Sequence, residues 1–528
     1  MITVNFFGAS VQSLSAALVY DSTADGNTPT DFDTSVYDDD SWFNGQDLIV
    51  PSGISLVRAI GQTVTSGTST PFCTLSVNGS GTGRGSHLGQ KNWVNAVSAP
   101  IAVSSGNVIQ ADTGGGGTKN LTGGTWLAAE ELSPTTKCAI VTKSADQSYS
   151  ASQTAALTFN TETVDTNGWH DNATNNTRLT VPSGVSRVRL TFSVYSTTQT
   201  DARVWITKNG TAIGPKLGKY FGTAVSAGSG ILEVSPGDYF ELIVQAIGSQ
   251  TISSTSWFSI EEVPDYPRVY LQKVNSQSIT GTEAIQFGSG SQIYATQGIH
   301  STSTNNTRIT IPSGFTRARF VAGVEPADTS GISKIWVRKN GSGTTPDKGL
   351  PGMDIEQTGG IDNVAAFGSW VNVTAGDYFE LMFAPGASQT LPASAHTFFC
   401  VELDSGARPV FTSTPSISSN SGFTGVGDTL TLNPGTSTGG TRAVQWLADG
   451  VAISGATADT YILTSGELGA NITCRVTVTN QYGSRTATTN SLGPVVTPAF
   501  ATQTLTLSSG GDITLSDASN LEISQRTQ

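Results

Sequence analysis

The chain has 528 residues, including 59 glycines and 21 prolines, and serine and threonine supply about another quarter. Charged residues are only 13%, against an ordinary share of roughly 25%, and good helix formers such as Lys, Glu and Arg are scarce, which argues against a helical protein. The net charge of −13 has the wrong sign for a phosphate backbone, and short alternating runs of Val, Ile, Trp, Tyr and Phe argue against a disordered chain.

The first residues, Met1-Ile2-Thr3-Val4-Asn5-Phe6-Phe7, lack the basic and long apolar parts of a secretory signal. No stretch approaches the ~18 apolar residues of a membrane helix. Residues 1–16 are read as an N-terminal segment. Three tandem modules of roughly 130 residues follow, at 17–135, 136–264 and 265–405. Each opens on a phenylalanine, Phe32, Phe159 or Phe287. Next comes Pro-Ser-Gly at Pro51, Pro182 and Pro312, spaced by 131 and 130 residues. The pairs Val57-Arg58, Val188-Arg189 and Ala318-Arg319 follow it. Asn-Gly recurs at Asn78, Asn209 and Asn340, each time after an alternating apolar run, a strong hairpin signal. Each module closes on a run ending in glutamate: Trp126 to Glu130, Trp257 to Glu261, and Phe398 to Glu402. The period is too long for a solenoid rung and suits a complete domain of short strands and Gly, Pro, Asn or Ser turns.

The second and third modules share Pro/Ala-Gly-Asp-Tyr-Phe-Glu-Leu, at Pro236–Leu242 and Ala375–Leu381. A strand, a Gly-Asp turn, a second strand and a final aromatic strand, in that order, resemble the trimeric jelly roll of the complement globular-head and tumour-necrosis-factor superfamily. The first module departs, with Ser105-Gly106-Asn107-Val108 in place of Gly-Asp-Tyr. The resemblance implies a homotrimer whose closing strands and aromatics pack around a three-fold axis.

Residues 406–497 change character. Leu430, Leu432, Trp446, Tyr461 and Cys474 follow a spacing that resembles a bacterial or phage immunoglobulin-like domain, with Trp446 as the core tryptophan and Cys474 as the second cysteine. Leu430 or Leu432 stands where the first cysteine would be, so no inter-sheet disulfide is expected. The four cysteines, Cys73, Cys138, Cys400 and Cys474, form no CxxC pattern and are read as free, buried, small hydrophobes. Residues 498–528 carry Leu505-Thr506-Leu507, Ile513-Thr514-Leu515 and Leu521-Glu522-Ile523, spaced by eight, and read as a short C-terminal β repeat.

No motif points to catalysis. HExxH and Gly-x-Ser-x-Gly are missing. His87, His170, His300 and His396 sit in unrelated contexts. A glycan depolymerase needs two opposed carboxylates, whereas Asp238, Asp377 and Asp449 fall at turns that explain them. Asp38-Asp39-Asp40 offers oxygen ligands for calcium but reads as a solvated loop. The Gly114–Gly117 run lacks the Lys-Ser/Thr of a phosphate loop. Trp42, Trp169, Trp205 and Trp336 recur between modules and read as core or inter-subunit contacts. Ligand residues should not recur, which singles out Arg84, His87 and Trp93 of the first module as candidates for ligand binding.

The expected fold is all-β: three tandem jelly-roll β-sandwiches, an immunoglobulin-like sandwich and the C-terminal β repeat. No cofactor or metal is expected. A β-rich, Ser/Thr/Gly-rich protein with no export signal and no disulfide plan suits a virion component made in a bacterial cytoplasm. The expected function is a trimeric head fibre, spike or tail fibre of a tailed phage or phage-like particle that attaches to a host surface by avidity. Its partners would be copies of itself, capsid or tail proteins and a host-surface glycan, with no nucleic acid and no membrane insertion. The alternatives are a capsid decoration protein without a receptor role, a secreted glycan-binding adhesin, and a depolymerase spike.

Overall fold

A computed structural model describes residues 15–20, 32, 34–65, 72–86, 92–114, 125–198, 202–218, 224–264, 266–295, 298–327, 333–341, 355–357, 364–404, 411, 413–437, 441–480 and 483–497. The expected C-terminal repeat lies outside them, as does most of the N-terminal segment. Among the described residues the regular structure is all strand, apart from one 3-10 turn at Ser465–Glu467. The chain forms two compact units, one spanning Leu14–Gly406 and the other containing the described residues from 411 onward.

The first unit contains three two-sheet sandwiches whose inner sheets share one strand order. In the first module Thr34–Asp38, Ala16–Tyr20, Trp126–Glu131, Leu56–Thr65 and Asn92–Val97 lie side by side. In the second the order is Thr161–Asp165, Cys138–Thr142, Trp257–Glu262, Arg187–Tyr195 and Ala224–Gly228. In the third it is Gln292–Ala295, Arg268–Lys273, Ser394–Asp404, Arg317–Val324 and Val364–Asn372. The closing strand of each module, Trp126–Glu131, Trp257–Glu262 or Ser394–Asp404, is thus hydrogen-bonded on one side to the opening strand. On its other side lies the arginine-bearing core strand, Leu56–Thr65, Arg187–Tyr195 or Arg317–Val324. This closure of first strand on last is the jelly-roll arrangement.

Alternation explains why these strands read as nearly continuous apolar runs. In the first module Val57, Ala59, Leu127 and Ala129 fill the sandwich interior together with Phe32, Trp42 and Leu75. Arg58, Ile60, Ala128 and Glu130 point to the opposite face and are also buried. Both faces of the inner sheet are therefore covered, one by the module's own outer sheet and the other by neighbouring modules.

The outer sheets are tied by a recurring polar clip. Asn209 takes a positive φ of 50° ahead of Gly210, and its Oδ1 accepts from Tyr239 N at 2.9 Å. Its Nδ2 donates to Asp238 at 2.7 Å, and Asp238 also accepts from Ser235 N at 2.8 Å. Asn340, Asp377, Thr374 and Tyr378 repeat the pattern in the third module. In the first, Asn107 replaces the aspartate and still closes its turn on Ser104 N at 2.9 Å, while Asn78 accepts from Val108 N. The aspartates at Gly-Asp turns thus have a structural use.

The second unit is an immunoglobulin-like sandwich. One sheet orders Ser416–Ser419, Thr429–Asn433 and Thr460–Ile462, and the other Val451–Ala452, Thr441–Ala448, Ile472–Asn480 and Gly483–Thr488. Trp446 and Cys474 are directly opposite in the ladder and both fully buried, with Leu430 in the same core. All four cysteines are free and buried.

Candidate functional site

The main polar constellation of the first unit lies where the three inner sheets meet. Arg58, Arg189 and Arg319 each stand directly across the ladder from a glutamate of their own module, Glu130, Glu261 and Glu402. All six side chains are buried, none more than 5% exposed. Each arginine reaches two carboxylates. Arg58 donates to Glu130 Oε2 at 2.6 Å and to Glu261 of the second module. Arg189 donates to Glu261 Oε1 at 3.0 Å and to Glu402 Oε2 of the third module at 2.5 Å. Arg319 donates through Nε to Glu402 at 3.0 Å and through Nη1 to Glu130 of the first module at 2.6 Å. The ring of three positive and three negative groups therefore closes on itself, module one to two, two to three, three to one.

Local sequence places these groups. A β strand turns alternate residues to one face, so Arg58 and Ile60 share the axial face while Val57 and Ala59 face the core. The electrostatics follow from burial against pairing. Burial pushes the Glu402 carboxyl up, but Arg189 and Arg319 outweigh it and hold the group at about 2. Glu130 is also drawn below the usual carboxylate range, against its own burial, by Arg319, Arg58 and Arg189. Desolvation works against the charge on Arg319, and Glu130 and Glu402 overcome it and raise its affinity for its proton. Each carboxylate bonds through one oxygen only; Glu130 Oε1, Glu261 Oε2 and Glu402 Oε1 have no hydrogen-bond partner. A cavity of about 50 Å³ adjoins the ring, lined among others by the three arginines, Glu130, Tyr266 and Trp370. It has room for a few waters.

The axis changes the meaning of the expected three-fold arrangement. The closing strands that would pack around an axis between chains already meet around one inside this chain. Further contacts knit the same seams. Asp39 and Arg317 form an ion pair between the first and third modules, and Lys216 and Glu325 pair the second with the third at 2.8 Å. Ala99, Ile140 and Trp257 form an apolar cluster between the first and second.

The remaining sequence candidates fall elsewhere. Arg84 lies on Ser80–Ser86 opposite Thr74, in the outer sheet of the first module, and Trp93 on Asn92–Val97 opposite Val64, in the inner sheet. His87 lies outside the described residues. The solvated-loop reading of Asp38-Asp39-Asp40 is corrected: Asp38 accepts from the backbone of Trp42 at 2.7 Å and Phe43 at 3.1 Å, and Asp39 binds Arg317. The histidines are corrected too. His170 and His300 are equivalent, each bridging two main-chain carbonyls, Arg178 and Phe159 in one module, Arg308 and Phe287 in the other. Trp42, Trp169 and Trp336 are core residues, but Trp205 is only half-buried, with the Lys216 ammonium 5.6 Å from its ring. Sequence reasoning quoted every member of the axial ring and missed the ring itself. The available signal was an Arg and a Glu at matching phase in all three copies.

Among the described residues no group of three or more His, Cys, Asp or Glu is placed to hold a metal ion, and no helix is long and apolar enough to cross a membrane. No family model matches the chain, and no curated protein matches it. A solved GH78-family rhamnosidase from Bacillus sp. GL1 aligns with 72% of this chain at 11% identity and a TM-score of 0.13, too low to carry an argument. The alignment covers 56% of the rhamnosidase, just over half its length.

Proposed function

We propose that this protein is a non-enzymatic structural appendage of a virion, of the head-fibre, spike or tail-fibre class, which attaches the particle to a host surface. The observation that supports this reading is the closed axial ring. It joins three jelly rolls into one head whose buried charges are spent on holding the modules together. Such a head displays three related outer surfaces at fixed spacing, and fixed spacing turns weak single contacts into strong avidity. The depressed carboxylates outside the ring serve structure as well: Asp238 and Asp377 close turns, and Glu380 binds Thr307, Arg308 and Arg338.

In this reading one chain supplies the whole three-fold head, so light scattering should give a mass near 54.7 kDa. A mass three times larger would mean that chains also join through surfaces away from the axis. The attachment role is tested on particles. Antibody raised against residues 411–497 should decorate intact virions in electron micrographs and block their adsorption to cells. Undecorated particles, or decorated particles that adsorb normally, would reject a virion-borne attachment role. Release of reducing sugar ends from host capsule would instead favour a depolymerase.

A further inference from the structure

Three equivalent arginines define an axis, and one aromatic ring sits on it. The Phe367 ring centroid lies 5.8 Å from the guanidinium carbon of Arg58, of Arg189 and of Arg319 alike. Two residues beyond the ring arginines on the core strands are Ile60, Thr191 and Val321. Their ladder partners on the neighbouring strand are Val97, Gly228 and Phe367. These three residues therefore occupy one position in three modules, and they differ sharply in size.

The difference is enforced sterically. A Cβ added at Gly228 would lie 2.4 Å from Cδ2 of Phe367, so the phenyl ring fills the space that a side chain at 228 would take. A second size match lies two residues on. A Cβ at Gly230 would lie 2.4 Å from Cys400 Sγ of the third module. The residues equivalent to Cys400 are Ala128 and Ser259, each two before its ring glutamate. The large group of one module thus meets a glycine of the next. Asn95 of the first module holds the plug from the other side, donating to the Phe367 carbonyl at 3.2 Å.

We infer that the axial face of each module is keyed to accept one copy each of the other two, with Phe367 as a plug that only one module supplies. Three copies of the third module would bring three phenyl rings to one point, and three copies of the second would bring none. The pseudo-three-fold head is therefore a 1:1:1 assembly of unlike modules. This conclusion rests on packing alone and stands whether or not the protein attaches particles to cells.

The test moves the plug. In the full chain, Gly228→Phe should clash with Phe367 and Phe367→Gly should leave the axis empty, so each alone should lower the thermal midpoint or abolish folding. Because position 228 reaches the same point from the second module, the double variant should fold and recover at least half of the midpoint lost by the milder single variant. Phe367→Ala supplies a gentler measure of the plug if both single variants fail to fold. A double variant that fails to fold, or whose losses merely add, would overturn the inference, as would a Phe367→Ala variant that melts like the parent.

Discussion

Glu402 carries the largest share of the ring's contacts, accepting from Arg189 and twice from Arg319. Its folded value of about 2 lies below the ordinary 4.5, so its contribution is complete above pH 4.5 and is lost as pH falls toward 2. The shift corresponds to roughly 3 kcal/mol. Glu402→Gln leaves two buried guanidiniums short of a charged acceptor, which costs about 3–5 kcal/mol at neutral pH. It should also flatten the acid limb. Urea titrations at pH 7 and pH 3 check both points, and a variant that loses as much stability on acidification as the parent would contradict them. Lys273 illustrates the opposite sign. Its ammonium is buried beside Gln277 Oε1 at 3.1 Å and the Gln286 carbonyl at 3.0 Å, and desolvation lowers its value to about 8 from 10.5. The folded chain sheds this proton before the unfolded one, so its contribution to stability rises between pH 8 and 10.5. Lys273→Met should remove that rise from the stability profile, an outcome that chemical denaturation across this range would detect.

At the scale of the element, the turn clips carry the most local information. Asn209 combines a left-handed backbone with two side-chain hydrogen bonds, one to Tyr239 N and one to Asp238. Asn209→Gly removes the bonds and keeps the backbone at ease, whereas Asn209→Ala removes the bonds and strains the turn. The alanine variant should therefore be the less stable of the two, by about 1 kcal/mol, and thermal melts of the pair check the order. This clip also shows why the modules were legible. Asn-Gly, Gly-Asp and Pro-Ser-Gly are contiguous signals that recur at one period, and the structure turns each into the same local geometry. Trp446 and Cys474 were legible for a similar reason, since a fixed spacing places them opposite each other in one ladder. The axial ring was not, because it needs the knowledge that the inner sheet is covered on both faces. An arginine alternating with valine reads as a solvent-facing residue until the neighbouring module is in place. Asp39 is the same case: its partner Arg317 lies 278 residues away and in another module. The equivalence of His170 and His300 was hidden differently. They share the module period, but the first module has Phe43 at that place, so the residue type breaks the pattern.

The whole first unit should behave as one cooperative body. Each ring carboxylate is bonded to its own module and to a neighbour, so no module can open without stranding charges in the other two. A stranded buried charge costs several kcal/mol, more than the few kcal/mol that ordinarily separates a partly open state from the folded one. Three sandwiches joined only by linkers would instead open one at a time, each with its own stability. Native-state hydrogen exchange distinguishes these cases. Amides of the closing strands Trp126–Glu131, Trp257–Glu262 and Ser394–Asp404 should exchange with one common free energy, whatever the intrinsic stability of their modules. Arg189→Met, which removes one link of the ring and keeps the side chain's bulk, should accelerate all three strands together. Faster exchange confined to Trp257–Glu262, the closing strand of the substituted module, would show that the modules are mechanically independent and that the ring is decoration on three separate domains.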